Sequence, residues 1–363
     1  MQIPIAKPLI GEEEKQAVLE ILESGELVQG RYVAEFERNF ADYHGAKFGV
    51  AVTNGTDALI ASLMAHDIGP GDEVIVPAFT FFATASCILA VGATPVFGDI
   101  EPNTFCLTPE SAASLITEKT KAIMPVHLYG HPADMPRFKA LCEQHNLVLL
   151  EDAAQAHGAK IDETYVGNWG TASFSLYATK NIMTIEGGMV LTNNEEIASK
   201  LRLIRNHGMG VQYLHEIEGL NLRMTNLSAA IGLAQLKRLG EWTQKRIENA
   251  AYFNQHLTNF ILPVVKPGYT HVYHQYTIRI PDASQRDQIL DWLNQQGIGA
   301  RVYYKMPLHK QPIFQKIERY QNISLPVTEE IAASVISLPV HPGLSQEELD
   351  HIVDVVNSLE RAY

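Results

Sequence analysis

Cysteine is scarce in this chain of 363 residues: there are three, Cys87, Cys106 and Cys142, far apart and odd in number. They make neither a metal-binding spacing nor a disulfide framework, and they fit a reducing cytoplasm. Cations are also in short supply. Lys plus Arg total 28 against 41 Asp plus Glu, for a formal net charge of −13. Such a chain repels a phosphate backbone, so nucleic acid is not an expected partner. Neither GxGxxG nor GxxxxGK[ST] occurs, which removes the main support for dinucleotide and P-loop sites. The start, MQIPIAKPLIGEEEKQ, has no basic segment leading into an apolar one, so a signal peptide is not expected. The fourteen histidines form no HExxH, and His127, His131, His145 and His157 fall in one region without a close acid pattern; no metal is expected. Internal repeats, low-complexity tracts and Gly/Ser linkers are absent too.

One run lacks charge altogether, from Val74 to Gly98, and its length suggests a membrane span. Pro77, Gly92, Pro95 and several hydroxyl residues interrupt it, so the better expectation is strand, loop, buried helix, strand, with no membrane partner. What the chain does have is apolar material, 46% of residues, enough for a sizeable core. Short β-branched runs alternate with helical patterns: helix 12–23, strand 47–53, helix 56–67, strand 73–77, helix 82–92, strand 94–100, helix 109–118, strand 121–128, helix 134–145 and strand 147–153. This order predicts an α/β fold with a mainly parallel sheet, whose ligands sit beyond the carboxyl ends of its strands. Strands at 173–177 and 187–193 and one long helix over 226–256 follow. A smaller C-terminal α+β part then begins near residue 245, with strands at 272–280 and 298–304 and helices at 284–296 and 345–361.

Three segments at predicted strand ends carry candidate chemistry. In Thr53-Asn54-Gly55-Thr56-Asp57 a strand gives way to a helix, and the free N–H groups there suit a phosphate; taken alone, the pattern is better explained by an ordinary start capped by Thr56 or Asp57. Glu151-Asp152 ends a buried strand and is followed by small residues, where a carboxylate is costly unless paired. Asp152 could face a protonated ring nitrogen, a metal, a helix end or an internal cation. Lys180 lies between Ser173-Phe174-Ser175 and Gly187-Gly188. A lysine is usually a solvated surface group, but a desolvated one attacks carbonyls as the free amine. Together a phosphate cradle, an acid for a ring nitrogen and a buried lysine are what pyridoxal 5'-phosphate (PLP) requires.

The motifs IGEEE, SGELVQG, TNGTDAL, GDEVIVPAFTFFATA, GATPVFGDI, AIMPVHLYGHPADM, EDAAQAHGA, SFSLYATKN with EGGM, GLNLRMTNLSAAIGLAQL and YYKMPLHKQP run through the chain. In order and spacing they resemble the DegT/DnrJ/EryC1/StrS family of PLP-dependent sugar aminotransferases. The resemblance implies an aspartate-aminotransferase-like fold (PLP fold type I), with a large PLP-binding domain over 1–244 and a small one over 245–363. It implies a homodimer with shared active sites, a nucleotide-linked keto-sugar as acceptor, and glutamate or glutamine as amino donor. By position Lys180 would hold the cofactor covalently. Asp152 would pair with its ring nitrogen, Gln155 would contact its hydroxyl and Phe81 would stack on the ring. Gly55, Thr56 and Ser175 would bind the phosphate, with Asn221 reaching it from the other subunit. Tyr304 and His309 would meet the sugar. Two positions depart from the family pattern: Ile185 stands for a turn glycine, and Asn226 for an acid. Within the family, dehydratases carry histidine where this chain has Lys180, and regulatory members bind cofactor without turnover. A nucleotide-sugar binding module would need no buried lysine.

Overall fold

In the computed structural model, which describes residues 1–359, seven strands form the central sheet. They are β1 (Phe48–Val52), β2 (Glu73–Pro77), β3 (Thr94–Gly98), β4 (Thr120–Ile123), β5 (Val148–Asp152), β6 (Thr171–Ser175) and β7 (Gly188–Thr192). Their order is β1-β7-β6-β5-β4-β2-β3. Every neighbouring pair from β6 to β3 is parallel, and β7 runs against both of its neighbours. Strands β2, β6 and β7 are buried along their whole length, as strands covered by helices on both faces must be. The uncharged run folds as β2, a loop, the helix Ala83–Ala90 and β3. No helix among the described residues is long and apolar enough to cross a membrane.

A second core surrounds the antiparallel pair Tyr276–Arg279 and Val335–Leu338, and holds Phe253, Leu293 and Ile352. Ile3 joins this core. Its N–H donates to the Gly297 carbonyl at 2.8 Å, and its own carbonyl accepts from the Gly299 N–H at 2.7 Å. The segment Leu308–Leu325 packs the other way, against the main sheet: Phe314 meets Phe97 edge-on at 4.9 Å, and the Tyr320 hydroxyl donates to the Pro95 carbonyl at 2.8 Å.

Several elements differ from expectation. The helix over 226–256 is two, Asn226–Leu236 and Leu239–His256. The Arg238 N–H bonds one residue short, to the Gln235 carbonyl, in a tight turn that lets Leu239 and Trp242 enter the main core. The stretch 298–304 is not a strand. Only isolated bridges form, Ile298 with Ile3 and Arg301 with Ser337, and the Tyr303 carbonyl is taken by the Tyr129 hydroxyl. Sequence reading assigned nothing to the helix Arg31–His44, although Val33, Phe36, Phe40, Ala41 and His44 mark its buried face at helical spacing. The last helix is Gln346–Ser358, and the end expected at 361 lies outside the described residues.

Asn226 is 1% exposed, and its side-chain amide donates to the Glu26 carbonyl at 2.8 Å while its oxygen accepts from the Val33 N–H. A carboxylate could not make the first bond. Ile185 has φ +72°, so the turn keeps a left-handed backbone even with a β-branched residue in it. That conformation costs an L side chain about 1–2 kcal/mol, against roughly 0.5–1 kcal/mol of ordering entropy for glycine. Ile185 is exposed and forgoes little packing when removed. Ile185→Gly is expected to raise the thermal midpoint by about one degree in a melting experiment; a fall would mean that side-chain contacts outweigh the backbone strain.

Candidate active site

A cleft of about 740 Å³ opens at the carboxyl ends of the parallel strands. A larger, open groove of about 1140 Å³ lies among the helices Glu12–Ser24, Arg31–His44 and Asn226–Leu236, and none of the expected site residues line it. Gly55, Thr56, Phe81, Asp152, Gln155, Ser175, Lys180 and Tyr304 all line the first cleft.

One end of the cleft is the start of the helix Gly55–Ala65. The cap is Asn54, rather than Thr56 or Asp57: its side chain accepts from the Asp57 N–H at 2.9 Å and donates to the Asp57 carboxylate at 2.8 Å. That leaves the N–H groups of Gly55 and Thr56 without protein acceptors among the described residues, at the positive end of the helix dipole. A Cβ on Gly55 would lie 2.6 Å from the Ser175 Cβ, so only glycine lets the helix start sit against β6. Two donors and a serine hydroxyl thus converge on one small space, which fits a phosphate.

At the opposite end, β5 places Glu151 and Asp152 on opposite faces, as strand alternation requires. Glu151, fully buried, accepts from the N–H groups of Gly167, Trp169 and Gly170 at 2.8–3.0 Å, which anchors that loop. It also accepts from His127 Nε2 at 3.2 Å. His127 Nδ1 accepts the Ala133 N–H at 3.0 Å, so the ring proton sits on Nε2. Asp152 faces the cleft at 4% exposure. Its Oδ2 accepts from the Thr84 hydroxyl at 2.7 Å and its Oδ1 from the Ala154 N–H at 3.2 Å. Burial pushes its carboxyl above the usual range, and those two donors with the charge of Lys180 oppose the rise.

Lys180 reaches the cleft from the turn after β6, partly open to the cleft but shielded from bulk water. Burial lowers its amine to about 8, and the Asp152 charge holds it from falling further. Gln155 is gripped from two sides: its carbonyl oxygen accepts from the Tyr129 N–H at 2.6 Å, and its amide donates to the Tyr304 hydroxyl at 3.2 Å. Phe81 is 57% exposed at the cleft mouth, its ring 5.9 Å from that of Tyr304. His274 and Gln275 line the cleft from the C-terminal part and were not anticipated. Burial holds His274 neutral, with the nearby Lys180 charge adding to the effect, and its Nδ1 lies 3.3 Å from Asn181 Oδ1.

Two expected residues lie elsewhere. His309 is fully buried and bonded to Glu329 at 3.1 Å, so it does not line the cleft; its polar partner is an acid of its own chain. Asn221 is an exposed residue outside the cleft of its own chain, bridged to Asn206.

These residues fit PLP: a phosphate-sized cradle that a Cβ would fill, a buried carboxylate held by two donors, and an amine with a lowered pKa. The family model of the DegT/DnrJ/EryC1/StrS aminotransferases matches residues 8–357. A pleiotropic regulatory protein of Geobacillus stearothermophilus is 42% identical over 95% of this chain and 93% of its own length. The UDP-N-acetyl-3-dehydro-alpha-D-glucosamine 3-aminotransferase of Acidithiobacillus ferrooxidans is 40% identical over 93% of this chain and 90% of its own. The solved structure of NtdA from Bacillus subtilis, with bound cofactor PMP, superposes with a TM-score of 0.92 at 32% identity, covering 99% of this chain and 85% of that one. The chain belongs to the DegT/DnrJ/EryC1/StrS aminotransferase family. It has the α/β, type I fold and is a PLP-dependent aminotransferase.

An amine attacks the cofactor only after losing its proton. Covalent uptake of pyridoxal phosphate by the cofactor-free protein, trapped with borohydride, is expected to quicken as pH rises through about 8. In Asp152→Asn the supporting charge is gone and the midpoint should move lower. A midpoint near that of free lysine would show that Lys180 is not desolvated.

Proposed function

We propose that the protein transfers an amino group from glutamate or glutamine to a nucleotide-linked keto-sugar in the cytoplasm, as a homodimer with shared sites. The observation that carries the chemistry is the convergence of Lys180, Asp152 and the Gly55/Ser175 cradle on one cleft. The sugar assignment rests on the activity for which the Acidithiobacillus relative is named and on a cleft that offers no arginine of this chain, among the described residues, to grip an amino-acid acceptor. Buried, unpaired Cys87, Cys106 and Cys142 suit the cytoplasm.

When bound, PLP supplies a carbonyl for the amino group and a protonated ring that accepts electron density from the substrate carbon. In our assignment the N–H groups of Gly55 and Thr56 and the Ser175 hydroxyl hold its phosphate. Asp152 keeps the ring nitrogen protonated, Gln155 orients the ring hydroxyl, and Phe81 covers one face. Lys180 would hold the cofactor, and its amine, lowered to about 8, could take up or release a proton at Nζ around neutral pH. Tyr304, fixed by Gln155, presents its hydroxyl to the sugar.

The dimer reading has separate support. Lys180 is the one cation lining the cleft among the described residues, apart from the neutral His274, yet a phosphate, a donor carboxylate and a nucleotide diphosphate must all be neutralised. A second copy can supply Asn221 and its neighbour Arg223. The hairpin just before them exposes Val211, Tyr213 and Leu214, an apolar edge suited to a subunit contact. The Geobacillus relative's name favours a regulatory role, against which stands the complete set of Lys180, Asp152, Gln155 and Ser175.

The pyridoxamine form is expected to lose its amino group to one of a panel of 3-keto- and 4-keto-sugar nucleotides, read as return of the visible absorbance band. Ready reaction with pyruvate or oxaloacetate, and with no sugar nucleotide offered, would falsify the sugar assignment. For the shared site, mixing inactive Lys180→Ala with Asn221→Ala chains should restore part of the activity, because one hybrid site in each dimer is intact. Persistent inactivity after proven subunit exchange would confine each site to a single chain.

A further inference from the structure

The Asp152 carboxylate does not stand alone. Behind it, outside the lining of the cleft, lies the fully buried Thr84, in the first turn of the helix Ala83–Ala90. Its hydroxyl is 2.7 Å from Asp152 Oδ2 and 3.0 Å from the hydroxyl of Thr80, itself 3% exposed. The proton order is fixed by chemistry. An ionised carboxylate only accepts, so Thr84 must give its one proton to Asp152. Thr84 then has only lone pairs left for Thr80, so Thr80 must donate to Thr84. The result is a one-way chain, Thr80 to Thr84 to Asp152, in which each bond strengthens the next.

From this geometry we propose that Thr84, backed by Thr80, is a positioning residue for the cofactor's ring: it fixes the Asp152 carboxylate in its ionised, correctly turned state. This rests on Asp152 being the partner of the ring nitrogen. A buried carboxylate that loses one of two donors takes up a proton or rotates toward another. The titratable groups near Asp152 are Lys180, His127, Cys87 and Tyr304. Among the described residues none of these donates a hydrogen bond to it; Thr84 and the Ala154 N–H are its donors. Thr84 is therefore the one hydroxyl of that turn that reaches Asp152, Ser86 being bonded to the Ala83 carbonyl, and its loss cannot be made good by a neighbour already in contact.

Thr84→Val keeps the shape and removes the donor; Thr84→Ser keeps the donor and removes a methyl group. The holoenzymes of both, and of Asp152→Asn, are compared by the pH midpoint of the cofactor's visible band, by the dissociation constant for the cofactor, and by kcat against donor KM. A ring nitrogen held less firmly as a cation withdraws less charge, so the proton on the lysine linkage persists to higher pH. Thr84→Val is expected to raise the midpoint, to weaken cofactor binding, and to lower kcat about 10- to 100-fold with donor KM little changed, since a hydrogen bond to a buried charge is lost. Thr84→Ser should restore all three to near wild type, which a purely packing role would not do, because serine leaves a methyl-sized gap. Thr80→Val, which leaves the Thr84 donor in place, should shift the midpoint in the same direction but less, and stands in if Thr84→Val does not fold. A wild-type midpoint and affinity in Thr84→Val, or serine behaving like valine, overturns the proposal while Asp152→Asn still shifts the midpoint. If Asp152→Asn also titrates like wild type, the ring-nitrogen partner itself is wrong.

Discussion

The cost of keeping one charge out of water governs this site. Asp152 sits at the end of a buried strand, where an unpaired carboxylate would take up a proton rather than stay ionised. Two donors and the nearby lysine offset that burial. The dependence is mutual, because Lys180 is itself desolvated and is kept from losing its basicity altogether by Asp152. Each group is useful only while the other is there. The cleft walls that desolvate both are set by β5 and β6 lying side by side, so the pairing of two adjacent parallel strands is what brings acid and amine into one electrostatic unit.

Much of this was legible before any coordinates. The alternation of apolar strands and amphipathic helices gave the sheet and its functional edge, and eight of the expected site residues do line one cleft. The misreadings share a cause. His309 was placed at the sugar by family resemblance, but its side chain meets Glu329, twenty positions on, where spacing says nothing about contact. The break in the long helix depends on where Leu239 and Trp242 find room in the core. The stretch at 298–304 has strand-like composition, yet its backbone is claimed by the side chain of Tyr129, far away in sequence.

Local rules worked best where the backbone itself makes the site. Gly55 was legible as part of a strand-to-helix turn with free N–H groups, while its close approach to Ser175 emerged only from the structure. The identity of the cap, Asn54 instead of the two residues after it, needed the actual geometry, and it decides which N–H groups stay free. Asp152 was singled out in the sequence, but Glu151 beside it was given no role. Only the pleat assigns one to anchoring a loop and the other to the cleft. Thr84 carried no signal of its own in the sequence, because a threonine at a helix start usually means no more than a turn.

The path of the chain between the two cores has a mechanical consequence. Met1–Pro4 is stitched to residues 297–299 in the C-terminal core, the helix Leu239–His256 leads into it, and Leu308–Leu325 returns to lie on the main sheet. The backbone thus crosses between the cores repeatedly, and each crossing is a covalent strut. Bodies joined at one point can swing, whereas bodies laced together at several can only flex. His274 and Gln275 enter the cleft from the C-terminal part, whereas Tyr303 and Tyr304 pack against the main-sheet cluster of Phe79 and Tyr129, on the side of Phe81, Asp152 and Lys180. Any adjustment to a substrate must therefore be shared by several chain crossings at once and cannot turn about a single hinge.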